Sequence, residues 1–377
     1  MNVPVRRRRK LLVPCRAPLG WDIELGADDD PEEARGRAAL AARYFGQTLR
    51  DNARPGLRDA ARRHLLLPRS SRFSFWSPSL EQRELEMAVA RLAETPRSLP
   101  IRQLVDQQIA LAESQLKSPQ QQLINALDEA AWGRSKIRDL GAPATLRAIT
   151  EPGLSKYIRR CVECSRVVNP IVATAPPTPI ARSGRCRWHG GLQVVAVPGQ
   201  QCRLGVSFVL SSGMSDHAAV LVLTEFLGGQ KGLLRRRLRD EAGLIYGSAV
   251  MFRREPGTSS VSIGVSSIPD HLPQLVPLMH ELLAEIDSGF ISPEELVECA
   301  YRVEHRLLDE LSGPFGKLTD YRRAVDGDST TAELVSQLSC VPQVLCETSR
   351  ISSSHSLAVA YVGDPRLASM SDLEQLL

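Results

Sequence analysis

No stretch of this 377-residue chain stays apolar for the ~18 residues that a membrane-spanning helix needs. Behind the basic run Arg6-Arg7-Arg8-Arg9-Lys10 there is no apolar segment to act as a secretory signal. The expected location is therefore the cytoplasm, with no membrane partner. Histidine is absent before His64, and none of the 7 histidines meets another at i+3 or i+4. A helical pair of that spacing, which holds zinc in many metalloenzymes, is thus missing. The 8 cysteines are too sparse for a disulfide scaffold in a chain this long. Charge of one sign is also in short supply, because 47 basic residues face 43 acidic ones. The basic run has no interleaved aromatic residues, so it supports a nucleic-acid tail poorly, and no nucleic-acid partner is expected.

What remains is a soluble globular composition, 43% hydrophobic and 24% charged. The length suffices for about two domains with full cores. Trp21, Ile23 and Leu25 alternate as one face of a strand. Acidic residues and Pro31 then open a helix that continues through Phe45. A strand at 72–77 and helices at 80–93, 99–118 and 119–131 follow, and shorter helices lead to a strand ending at Ala175. Pro176-Pro177-Thr178-Pro179 heads the best linker in the chain. It divides a first domain, 1–177, from a second, 185–377, with 178–184 between them. The second half restarts the same order of elements. Strands at 191–197 and 203–210 precede a helix at 216–227, and a strand pair follows at 246–252 and 258–266. Ser292-Pro-Glu-Glu295 is a capping box that opens a helix to about Leu311.

The chain is organised around Leu227-Gly-Gly-Gln-Lys-Gly-Leu-Leu-Arg-Arg-Arg-Leu-Arg-Asp-Glu-Ala-Gly-Leu-Ile-Tyr246. An apolar helix runs into Gly228-Gly229, and a basic amphipathic helix closes at Arg239. Gly243 stands where a helix end wants a residue free to take positive φ. Tyr246 begins the next strand. A guanidinium and a phenol brought together across this turn can hydrogen-bond a peptide carbonyl or a carboxylate. The plainer alternative is an ordinary helix–turn–strand junction with a solvated arginine.

This stretch resembles the second-domain signature of the pitrilysin/insulysin-type zinc metallopeptidases: a Gly-Gly turn, a helix, then Arg, six residues and Tyr, with Gly243-Leu244 between. The resemblance is strongest over 190–365. It implies an α+β fold of two similar domains, each a mostly antiparallel sheet packed with helices, forming half of a clam-shell. It also implies that Arg239 and Tyr246, with Gly228 and Gly229, bind substrate backbone opposite a zinc held elsewhere. Active members carry His-x-x-Glu-His on the helix after the second strand, with the Glu as general base. Here those positions fall on Ala39, Ala42 and Arg43, so no catalytic residue and no metal are expected in this chain. Glu113, where the third ligand would be sought, reads as solvated.

Two further patterns need weighing. Cys161-x-x-Cys164 and Cys186-x-x-His189 have the spacing of two zinc half-sites, but neither has the glycine-rich knuckle of a ribbon. Separate thiols are expected, and a structural zinc there stays open. Tyr301-Arg-Val-Glu304-His305 imitates the inverted motif with Tyr in place of its first His, and it reads as a helix surface. Taken with the resemblance, the expectation is the non-catalytic subunit of a heterodimeric zinc metallopeptidase. Its homologous partner holds the zinc, and its substrate is a peptide, for instance a precursor or leader. The alternative is a peptide-binding or structural core subunit with no enzymatic role.

Overall fold

The computed structural model describes residues 19–24, 36–51, 72–77, 83, 87, 90, 100–133, 141, 143–163, 166–168, 187–211, 217–255, 258–288, 292–312, 316, 320, 323, 329–347, 351 and 355–377. The expected linker, the acidic turn at 28–33, the basic run and most of the helix expected at 80–93 lie outside them. The strand expected to end at Ala175 is described only over Arg166–Val168.

In the first half, β1 (Leu19–Glu24) pairs antiparallel with β2 (Arg72–Ser77) on one side and β3 (Arg166–Val168) on the other. Helix α1 (Arg37–Asp51) buries Leu40, Ala41, Tyr44 and Phe45. Ala38, Ala39 and Ala42 are buried as well, so burial runs round the helix and is not confined to one stripe. Helix α2 (Ile101–Lys117) presents Leu104, Val105, Gln108, Ile109 and Ala112 on its buried face, and α1 packs there. Helix α3 (Pro119–Trp132) starts with Pro at its first position, where the missing N–H is not needed, and ends on Gly133 at φ 64°. The short α4 (Pro143–Ala148) and α5 (Glu151–Glu163) complete this part.

The second half is built on a five-stranded sheet of order β4-β8-β5-β7-β6. These are β4 (Gly191–Ala196), β5 (Cys202–Val209), β6 (Gly247–Glu255), β7 (Thr258–Ser267) and β8 (Ala358–Gly363). The pairings β5–β7, β5–β8 and β6–β7 are antiparallel, but β4–β8 is parallel. The sheet is therefore mostly antiparallel, as expected, with one parallel edge. The parallel pair brings the last strand of the chain next to the first strand of the half, and such a closure needs a long crossover. Helices α6 (His217–Gly228), α7 (Leu272–Ser288) and α8 (Pro293–Ser312) cover one face, and α9 (Thr331–Gln337), α10 (Val341–Glu347) and α11 (Met370–Glu374) follow.

Every residue of β8 is buried. Val359 and Tyr361 enter the core of the second-half helices, whereas Ala360 and Val362 meet Leu123, Ala126 and Leu127 of α3 on the opposite face. Helix α3 precedes the expected linker in sequence, yet it packs on the second-half sheet. Close approach is possible because Gly205 and Gly264 are cross-strand partners directly beneath it. A Cβ at Gly205 would stand 2.7 Å from Leu127 Cδ1, and one at Gly264 would stand 3.0 Å from Leu123 Cδ2. The buried pair Asp128–Arg253 also joins α3 to β6. Arg253 lies 4.9 Å over the Trp132 ring, which meets Trp188 edge-on at 5.0 Å.

Candidate functional site

The cleft is made where α6 runs out. Its C-terminal turn passes into Gly228-Gly229, with Gly229 N bonded to Glu225 O at 2.9 Å and Gly232 N to Gly229 O at 2.8 Å. Side chains are excluded here by packing. A Cβ on Gly228 would lie 2.7 Å from Val250 Cγ2, and one on Gly229 would lie 2.5 Å from the Glu225 carbonyl oxygen. The carboxylate of Glu225 is itself held by Arg302 and Arg306, each at 3.1 Å. Arg302 also lies 3.0 Å from the buried Cys299 sulfur. Burial pushes that thiol's pKa up, and the adjacent guanidinium pulls it the other way.

The basic helix that follows is not α-helical. Arg235–Glu241 forms a π-helix, marked by the bond from Ala242 N to Arg237 O at 3.2 Å. Leu233, Leu234 and Leu238 anchor it in the core. Single π turns of this kind recur at functional sites. Nothing in a hydrophobic pattern distinguishes this widening from an α-helix, and the sequence reading missed it. Gly243, at φ 68°, ends the element as expected. Gly243 N bonds to Arg239 O at 3.1 Å, and Leu244 N reaches back to Leu238 O at 2.8 Å. The Leu244 carbonyl then accepts from Ser267 Oγ at 2.5 Å and lies 3.1 Å from His271 Nδ1. Tyr246 N bonds to Ser266 O at 2.9 Å and so starts the β6–β7 pairing.

Four arginines lie on the π-helix, and three of them have acids. Arg235 pairs with Asp240 at 3.6 Å, Arg236 with Glu295 at 2.7 Å, and Arg237 with Glu241 at 3.9 Å. The Glu295 hydrogen bond holds the Arg236 guanidinium above its usual range. Among the described residues, Arg239 has no carboxylate partner. It is exposed and lines a cleft of about 250 Å³ together with Gly228, Gly229, Gln230, Arg235 and Ser248. Ile245 and Gly247 complete the lining, and Tyr246 stands between them, 57% exposed. The resemblance of this stretch to the metallopeptidase signature pointed to Arg239, Tyr246, Gly228 and Gly229. Gln230, Arg235 and Ser248 become visible only when the turn is folded.

The first-half positions look different. Ala39 and Ala42 are buried in α1, 8% and 1% exposed. Arg43 Nε donates to Gln108 Oε1 at 3.2 Å, and its terminal nitrogen reaches Gln107 Oε1 at 3.4 Å. Glu113 lies further along α2 and is exposed. Two methyl groups and a guanidinium offer no lone pair to a metal, so these residues do not fit a zinc ion. Of the cysteine cluster, Cys161 is buried on α5 and His189 is exposed beside Gly133, while Cys164 and Cys186 lie outside the described residues. Tyr301 is 67% exposed on α8, and His305 Nδ1 contacts Asp309 at 3.0 Å, as a helix surface would.

Capping corrects one further expectation. Ser292 Oγ accepts from Glu295 N at 3.4 Å, but the Glu295 carboxylate turns to Arg236 instead of completing the box. The reciprocal box forms at Thr330 and Glu333, a Thr-x-x-Glu that was readable in the sequence and overlooked.

Residues 175–300 match the family model of the peptidase M16 inactive domain. No curated protein matches the chain by sequence. Among solved structures, the peptidase M16 inactive domain from Pseudomonas fluorescens is similar at TM-score 0.67 and 14% identity, covering 92% of both chains. A chain of complex III from Candida albicans gives TM-score 0.66 at 10% identity, covering 97% of this chain and 95% of that one. A protease from Helicobacter pylori gives 0.62 at 14% identity, over 92% and 94%. The stretch that builds the cleft thus matches the peptidase M16 inactive-domain model, on a chain whose fold is similar to that of the solved peptidase M16 inactive domain over nearly its whole length.

Proposed function

We propose that this chain is the non-catalytic subunit of a heterodimeric zinc metallopeptidase, supplying Arg239 and Tyr246 and half of the chamber for processing a peptide such as a precursor or leader. A homologous chain would bring the zinc and the hydrolytic chemistry. The observation that carries the reading is Arg239, which alone of the four π-helix arginines lacks an acid among the described residues and lines a cleft beside an exposed tyrosine. A guanidinium held in this way can immobilise an extended peptide, which is what a distant hydrolytic centre requires of its opposite wall. No helix among the described residues is long and apolar enough to cross a membrane, and we place the complex in the cytoplasm.

Native mass spectrometry with metal analysis tests this on tagged chain from its own cells. The expected species has about twice the chain mass, with one zinc and a second, different protein. In that complex Arg239→Ala and Tyr246→Phe should each lower peptide cleavage without dissociating the chains, and full activity in both would sink the assignment. The similarity to a complex III chain favours a second reading, a structural core subunit. A stable assembly free of zinc and of peptidase activity would establish that reading instead.

A further inference from the structure

We propose that the cleft selects a carboxylate, either an acidic side chain or the free C-terminus of a peptide, over an uncharged peptide backbone. The inference rests on the peptide-binding reading of this same cleft and names what it prefers. Two guanidiniums line it, those of Arg235 and Arg239, and both lie on the one rigid π-helix. Gln230 and Ser248 add a carboxamide and a hydroxyl, while Gly228 and Gly229 leave their backbone uncovered. No carboxylate lines the cleft among the described residues.

The acid that does meet Arg235 is Asp240, at 3.6 Å, and the two side chains are 49% and 56% exposed. A pair so wet contributes little and exchanges readily with a ligand carboxylate. A single peptide carbonyl offers one uncharged acceptor to two cations. A carboxylate offers two charged oxygens, which match the planar fork of an arginine. A volume of about 250 Å³ holds a residue or two of a peptide and no long segment. The preference is therefore local, for one anionic group at one position.

Calorimetric titration of the full chain with three probes tests this. They are acetylated pentaalanine amide, the same peptide with a central glutamate, and acetylated pentaalanine with a free C-terminal carboxylate. At least one carboxylate peptide should bind tenfold or more tighter than the neutral amide. That preference should shrink at high salt and vanish in Arg235→Gln and in Arg239→Gln, both exposed positions whose folding is checked by thermal melting. Tightening by glutamate alone assigns the side chain, and tightening by the free terminus alone assigns the C-terminus. Equal affinity for all three probes overturns the carboxylate inference while leaving peptide binding intact. Binding of none overturns both. A preference that persists in the Arg235→Gln/Arg239→Gln double variant places the anion elsewhere and overturns the assignment to this cleft.

Discussion

The α1–α2 seam and the Gly228–Ser248 cleft each present an arginine on a helix, and they treat it in opposite ways. In the seam, Arg43 lies beside two buried alanines and spends its donors on Gln107 and Gln108. The position that the resemblance assigns to the metal motif is filled by packing. On the π-helix beside the cleft, three arginines are paired with acids, and among the described residues the fourth, Arg239, has no carboxylate partner. An unpaired cation is weakly constrained by stability, because its removal loses no partner. The contrast is between a seam whose arginine serves packing and a cleft whose arginine makes no ion pair among the described residues.

Five substitutions break or sharpen that contrast. The largest effect is expected below the cleft, at Arg253→Ala. It removes the ion-pair partner of the buried Asp128 and should destabilise the chain by about 3–5 kcal/mol, read as a shift in the urea midpoint. Replacing both partners by residues of similar volume should recover much of the loss. Gly229→Ala comes next, since its Cβ would overlap the Glu225 carbonyl. Forcing the turn apart should cost about 1–3 kcal/mol and narrow the cleft, measurable as lost stability together with weaker peptide binding. Arg43→Ala removes the hydrogen bonds to Gln107 and Gln108 from the seam and should cost about 1 kcal/mol. Peptide binding measured by calorimetry should be unchanged, and a loss there would show that the seam still participates. The smallest stability effect belongs to Arg239→Ala and Tyr246→Phe, within about 0.5 kcal/mol of the parent chain. A marked destabilisation by either would turn the cleft arginine or tyrosine into a structural residue and abolish the contrast.

Much of the scaffold was legible in advance. The strands at 19–24, 72–77, 191–196 and 202–209 and the helices α2, α3, α6, α7 and α8 fall where period and capping chemistry put them, within a residue or two. Those signals are local, so the sequence carries them directly. The Arg239–Tyr246 spacing and the positive φ of Gly243 were equally readable, because a helix C-terminus has few chemical solutions. So was the loss of the metal motif, since a missing histidine is a fact about composition.

Other features required the folded chain. The π-helix depends on how Leu234 and Leu238 seat in the core, and an amphipathic pattern is the same for either helix type. The parallel β4–β8 edge joins segments far apart in sequence, and no local preference specifies such a partner. Gly205 and Gly264 are ordinary strand glycines until α3 crosses above them. Arg43 and Gln108, or Arg239 and Ser248, are merely polar residues until packing places each beside its neighbours. The sequence by itself determined where most elements form and that no histidine pair at helical spacing is present. Tertiary structure decided which arginine is satisfied and which is left exposed, because pairing depends on distances between segments that only folding brings together.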